Sequence, residues 1–233
     1  MLSSVSGHEN WLLLQTGPGA AAFNMALDEA LLEHSTRLGQ PVLRFYGWTE
    51  PAATFGYFQK LAVVSALTPL RPLVRRPTGG GLVPHDADWT YSVVIPPSHA
   101  WHGLTARESY RRIHTWVGAA FKLIGIEAAL APSSRVVGAG QCFEGWEESD
   151  LLLHGRKLAG AAQRRNKSGL LIQGSVQPPT RVAKADWQRA LCDAARESWN
   201  ANWTAMEPDT ALRERAEELA AAKYNRNEFN QRR

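Results

Sequence analysis

Between Leu151 and Val176 the chain reverses direction twice, and this restricts its possible folds more than any other feature. Leu151-Leu152-Leu153 and Lys157-Leu158-Ala159 flank His154-Gly155, a two-residue turn of hairpin type. Asn166-Lys167-Ser168-Gly169 forms a second turn that leads into Leu170 to Val176. Other β-rich runs are Leu12 to Leu14, Val42 to Trp48, Ala53 to Phe58 and Leu73 to Arg76, with Glu50-Pro51 and Pro77 as breaks. Trp89 to Ile95 alternates and stops at Pro96-Pro97, and Ile126 to Leu130 reads as a further strand.

Helical spacing occurs elsewhere in the chain. Phe23, Ala26, Leu27, Ala30 and Leu31 predict a helix with Asn24 as N-cap. Thr105 to Ile124 opens with a Thr105/Glu108 capping box, carries an apolar stripe from Tyr110 to Phe121, and closes at Gly125. The last fifty residues have helical character, ending in a polar segment. Hairpins with helices set apart from them predict an α+β fold with a largely antiparallel central sheet flanked by helices. No repeat or linker divides the chain. Its 233 residues suit one domain, residues 1–233, with no accessory C-terminal domain.

Composition narrows the class. Hydrophobic content of 44% and charged content of 21% belong to soluble globular proteins. The N-terminus lacks signal-peptide character and no apolar run approaches ~18 residues, so a cytoplasmic location away from membranes is expected. Cys142 and Cys192 make neither a disulfide framework nor a metal-type spacing, so no metal site is expected. Nine Trp are many for this length, and most are expected in the core. The net charge is +4, with clusters at Arg71/Arg75/Arg76, Arg111/Arg112 and Arg164/Arg165/Lys167. Nucleic acid, a solvated surface and acidic protein partners all fit that charge.

The string Arg75-Arg76-Pro77-Thr78-Gly79-Gly80-Gly81-Leu82-Val83-Pro84-His85-Asp86 carries the most specific chemistry. Three glycines let a ligand lie against the main chain, and their N–H groups can form an anion nest beside two arginines. It resembles the signature loop of the biotin/lipoate protein ligase and octanoyltransferase family. Gly155-Arg156-Lys157-Leu158-Ala159-Gly160-Ala161-Ala162-Gln163 resembles that family's second block. Weaker echoes are Asn24 to Glu29, Arg44 to Trp48, Gly56 to Gln59 and Lys223 to Asn225, in the family's order. The resemblance implies a catalytic domain related to biotin ligase and class II synthetases. It also implies that Arg75, Arg76, Thr78, Gly79 to Gly81, His85, Gly160, Ala161 and Ala162 bind substrate, and that Lys157 meets the acyl carbonyl. Physical reasoning agrees for Lys157: an ammonium beside small residues can stabilise charge growing on a carbonyl oxygen.

Within the family two chemistries compete. ATP-dependent lipoate ligases make an acyl-adenylate, which would require ATP and Mg. Some octanoyltransferases instead load a cysteine from a carrier-protein thioester and need no cofactor. Gln141-Cys142-Phe143-Glu144 resembles their cysteine segment, which makes Cys142 the expected nucleophile, activated by Lys157 and carrying a covalent acyl intermediate. Glu148-Ser149-Asp150 stands where ligases commonly carry Arg-Asn-Asp. Pro84 and Gln173-Gly174-Ser175 also depart from the family pattern, the latter where His-Gly is frequent. The expected donor is acyl carrier protein. The expected acceptors are lipoyl-domain proteins, namely the glycine-cleavage H protein and 2-oxoacid dehydrogenase subunits. Alternatives are the ligase, an amidotransferase between lipoyl-domain proteins, and a non-catalytic acyl- or nucleic-acid-binding protein.

Overall fold

The computed structural model describes residues 8–135 and 145–232. The elements run β1 (Glu9–Gly19), α1 (Ala21–Leu38), β2 (Val42–Trp48), β3 (Ala52–Phe55), α2 (Leu61–Ser65), β4 (Leu73–Arg75), β5 (Val83–His85) and β6 (Trp89–Ile95). After a 3-10 turn come α3 (Ala106–Leu123), β7 (Ala129–Leu130), β8 (Leu151–Leu153), β9 (Arg156–Asn166) and β10 (Gly169–Val176). The chain continues through α4 (Lys184–Trp199), β11 (Ala201–Met206), α5 (Thr210–Leu219), a π-helical turn at Ala220–Tyr224 and α6 (Asn227–Gln231).

Eight strands form one sheet in the order β11-β1-β2-β6-β10-β9-β8-β7, and β4-β3-β5 form a small second sheet. In the large sheet β1 runs parallel to both β11 and β2, while the other neighbours are antiparallel. The double reversal read from the sequence is the β8-β9-β10 meander. Its second hairpin pairs Asn166 with Gly169 and continues to Ala159 with Val176. All eight residues of β10 are buried, so this strand lies mid-sheet with both faces covered.

Helices cover both faces. On one, α3 and α4 enclose a core in which Trp11 packs edge-on against Trp101 and Trp116, and Trp187 meets Trp89 and Phe45. On the other, Met25, Leu27 and Leu31 of α1 pack with Leu212 and Ala216 of α5. The capping box starts α3 as its sequence predicts.

Four local expectations are corrected. Helix α1 begins at Ala21 after an extended Ala20, so Asn24 lies inside it rather than at its cap. The Asn24 amide instead donates to the carbonyls of Gly19 and Gly47 and accepts from Arg44, tying the helix start to β1 and β2. The C-terminal fifty residues are not all helical, because Asn200 ends α4 in the left-handed region and β11 follows. Only Ala201 of β11 is buried, as befits an edge strand with little apolar pattern to read. The segment after Gly125 forms only the short β7, and β3 stops at Phe55.

Candidate active site

A narrow cavity, open on one side, lies between β10, β9, the glycine loop and α1. Lys157, Gly160, Ala161 and Ala162 line it from β9, and Gln173, Gly174 and Ser175 from β10. Arg76, Gly80, Val83 and His85 cover it, while Met25, Tyr46, Thr54 and Thr90 complete the wall.

The Lys157 ammonium lies 2.7 Å from Asp150 Oδ2, and both side chains are almost wholly buried, at 7% and 5% exposure. Gly160 makes this possible. A Cβ at that position would sit 2.5 Å from Lys157 Cε, 2.7 Å from its Nζ and 3.2 Å from Asp150 Oδ1. The small residue that the motif requires is therefore the bed on which the lysine lies. Asp150 is anchored in turn by the Glu147 N–H, which donates to its Oδ2 at 2.8 Å. Behind this pair sits His114 of α3, 1% exposed. Burial pushes its imidazole down to about 4, and the Lys157 ammonium adds to this against the opposing effect of Asp150. His114 is therefore neutral at physiological pH.

The glycine loop is held by its arginines in two different ways. The Arg76 guanidinium donates to the Gly79 carbonyl from Nε (3.0 Å) and Nη2 (2.5 Å), and to the Thr54 carbonyl from Nη1 (3.2 Å). It thereby fixes the turn in which Gly80 takes φ +85°, a value that glycine adopts without strain. Gly56 packs so tightly beneath that a Cβ there would come 1.9 Å from the Gly80 oxygen. Arg75, fully buried, points the other way. It donates to the carbonyls of Tyr57, Gln59, Phe229, Asn230 and Arg232 and so clamps the C-terminal segment under the loop.

A buried polar network supports the far wall. Asp28 of α1 pairs with Arg44 at 2.7 Å and accepts from Ser92 and from the Gln173 amide, each at 2.7 Å. The Gln173 carbonyl oxygen accepts from the Thr78 hydroxyl, also at 2.7 Å. Gln173, at the position where the sequence departs from the family pattern, thus connects the glycine loop to α1. Beside it His85 stacks on Trp48 with centroids 3.8 Å apart. Its Nε2 lies 2.8 Å from Thr54 Oγ1 and its Nδ1 3.0 Å from Asp88 Oδ2.

Seven residues expected from the sequence meet in this cavity: Arg76, Gly80, His85, Lys157, Gly160, Ala161 and Ala162. Thr78, Gly79 and Gly81 lie outside its lining, and Thr78 touches it only through Gln173. Arg75 is outside the cavity lining and donates to the C-terminal carbonyls. Cys142 lies outside the described residues. Cys192 is buried on α4, which pushes its thiol up to about 11 and makes it a packing residue. The sequence reading passed over Met25, Tyr46, Thr54, Thr90 and Asp88. Only Met25 and Tyr46 had a signal, as members of the weaker motif echoes. Among the described residues no group of three or more His, Cys, Asp or Glu could hold a metal ion, and no helix is long and apolar enough to cross a membrane.

Comparison with known proteins gives concordant results. Residues 20–205 match the model of the lipoyl protein ligase A/B catalytic domain. The octanoyltransferase LipM of Geobacillus kaustophilus is 39% identical over 181 residues, covering 72% of this chain and 65% of the relative. LipM of Bacillus subtilis is 37% identical with the same coverage, so the chain spans 65% of the length of these curated relatives. Among solved structures, Thermoplasma acidophilum Ta0514 with bound lipoic acid superposes with TM-score 0.77 at 22% identity, covering 97% of this chain and 99% of that one. A lipoate-protein ligase A bound with ATP gives TM-score 0.75 at 22% identity, with the same coverage. At that identity the superpositions speak for the fold alone, a large mixed sheet between helices.

Proposed function

The chain belongs to the lipoyl protein ligase A/B catalytic-domain family, and from that premise we propose that it transfers an octanoyl or lipoyl group onto the lysine of a lipoyl-domain protein. The observation that carries this reading is the Lys157–Asp150 pair, laid across Gly160 and facing a cavity roofed by the glycine loop. A fixed, buried ammonium there can stabilise the oxyanion that forms when a nucleophile adds to an acyl carbonyl. The 36–40% identity to octanoyltransferases named LipM supports transfer in preference to ATP-dependent ligation.

The reaction has two acyl transfers. The Cys142 thiolate attacks the octanoyl thioester of acyl carrier protein, the carbon–sulfur bond to the carrier breaks, and the carrier leaves as its thiolate, which takes up the equivalent of the proton that the Cys142 thiol gave up. The acceptor lysine then attacks the Cys142 thioester, forming the amide and returning Cys142 to the thiol. Arg76, Gly80 and His85 line the acyl chain, Thr78 with Gly79 and Gly81 shape the loop, and Gly160, Ala161 and Ala162 leave it room. The H protein and 2-oxoacid dehydrogenase subunits are acceptors, met in the cytoplasm. The net charge of +4 favours encounter with acidic partners. ATP and Mg have no place in this scheme.

Incubation with an apo lipoyl domain decides the matter. The expected result is octanoylation of the domain from octanoyl-carrier protein alone. Modification only from free octanoate or lipoate with ATP and Mg overturns the transferase in favour of a ligase, and modification only from an octanoylated lipoyl domain favours an amidotransferase.

A further inference from the structure

Thr54 and His85 of the cavity wall form a chain of three groups with Asp88, which lines the neighbouring groove. Asp88 can only accept, so the His85 Nδ1 proton points at its Oδ2 (3.0 Å) and Nε2 is the acceptor of the Thr54 hydroxyl at 2.8 Å. The carboxylate is well fixed, since the same Oδ2 accepts from Ser175 Oγ at 2.6 Å and Thr90 Oγ1 at 3.1 Å. Its Oδ1 is buried with no hydrogen-bond partner among the described residues, which leaves negative charge to stabilise an imidazolium. Stacking on Trp48 locks the ring's orientation.

The position matters as much as the geometry. Ser175 stands directly opposite Gly160 in the β9-β10 register, and Lys157 lies across Gly160. One strand spacing, ~5 Å, therefore separates the Ser175 backbone, whose side chain holds Asp88, from the Gly160 backbone beneath the ammonium. His85 also borders a second, open groove with Trp48, Thr49, Glu50, Asp86 and Lys184, so it faces the acyl cavity on one side and a solvent route on the other.

We propose that Thr54 and His85, oriented by Asp88, are the general base for attack by the acceptor lysine. The inference rests on the reading that a lysine amine attacks an acyl thioester in this cavity. The amine nitrogen bonds to the carbonyl carbon, the carbon–sulfur bond breaks, and sulfur leaves as thiolate. The surplus proton on nitrogen moves to Thr54 Oγ1 while the Thr54 hydroxyl proton moves to His85 Nε2. The imidazolium, held by Asp88, then releases a proton to solvent through the second groove, and the thiolate recovers one from solvent. Lys157, paired with Asp150, acts on the oxyanion. Thr54 and His85 are the catalytic residues of this step and Asp88 is a positioning residue.

The test compares two nucleophiles on the preloaded octanoyl-enzyme in single turnover: an apo lipoyl domain, whose lysine adduct holds its surplus proton tightly and needs a base to remove it, and hydroxylamine, a far weaker base whose adduct gives that proton to water unaided. His85→Gln is expected to slow transfer to the lipoyl domain ~100-fold or more, the usual share of a general base. It should leave the hydroxylamine reaction within about threefold of wild type. Thr54→Val, close in shape, and Asp88→Asn should show the same split, and Thr54→Val carries the test if His85→Gln does not fold. Undiminished transfer to the lipoyl domain in both His85→Gln and Thr54→Val overturns the proposal, as does an equal loss with both nucleophiles. If wild-type protein forms no hydroxylamine-releasable octanoyl group, it is the underlying transferase reading that fails.

Discussion

Gly160→Ala separates the site from the fold. The atoms nearest a methyl group at this position are the far end of the Lys157 side chain, at 2.5 and 2.7 Å, and Asp150 Oδ1 at 3.2 Å. Alanine in a strand recovers roughly 0.5–1 kcal/mol over glycine, which offsets part of the cost of moving the lysine. The variant should therefore unfold in urea within about 1–2 kcal/mol of wild type. Its ammonium, however, must leave the place where the oxyanion forms. Loss of one such preorganised group costs ~10²–10³ in rate, about 3–4 kcal/mol, so kcat for octanoyl transfer should fall ~100-fold or more with KM changed far less. The assay is steady-state transfer to a lipoyl domain alongside urea melts of the same preparation. Wild-type kcat in Gly160→Ala refutes the assignment of Lys157. A stability loss above about 4 kcal/mol shows instead that Gly160 serves the fold.

Gly174→Ala should behave in the opposite way. Its Cβ would come 2.1 Å from Cζ of the Tyr91 ring, which is fully buried and cannot swing aside, so a loss of about 2–3 kcal/mol is expected in denaturant melts. Arg75→Met leaves five backbone carbonyls without their donor. It should cost at least about 3 kcal/mol and expose Phe229 to Arg232 to limited proteolysis, whereas a stable, protease-resistant variant contradicts the clamp. His114 supplies a pH dependence. Its folded value of about 4 lies below the unfolded 6.5. Unfolding therefore takes up a proton between those values, and about 3 kcal/mol of stability present above pH 6.5 is lost progressively as pH falls to 4. Urea melts of His114→Leu should show a flatter profile over that range, and an unchanged profile excludes His114 as the cause.

The sequence made the β8-β9-β10 meander legible because its turns are tight and β10 lies mid-sheet with every residue buried. The Arg76-to-Gly80 loop and the Lys157-to-Ala162 run were readable as motifs, and they converge on one cavity. What stayed hidden was long-range. Thr54 and Asp88 belong to no recognised block, and Asp150 stood out only where the chain departs from the ligase pattern; Thr54 and Asp88 come to the site through pairings at a distance, such as β3 against β5 and Ser175 against Asp88. Arg75 and Arg76 are adjacent and chemically identical, yet consecutive strand side chains point to opposite sides. One therefore closes over the cavity and the other over the C-terminal segment. Strand β11 was missed because its partner β1 lies nearly two hundred residues upstream and its own outward face carries little apolar signal.

Intact-protein mass spectrometry after mixing with octanoyl-carrier protein, with no nucleotide present, tests the central claim most directly. The account predicts a mass gain of one octanoyl group that hydroxylamine removes, that an apo lipoyl domain discharges, and that is absent in Cys142→Ala. An undiminished adduct in Cys142→Ala, or no adduct in wild type together with ATP-dependent modification of the lipoyl domain, contradicts it.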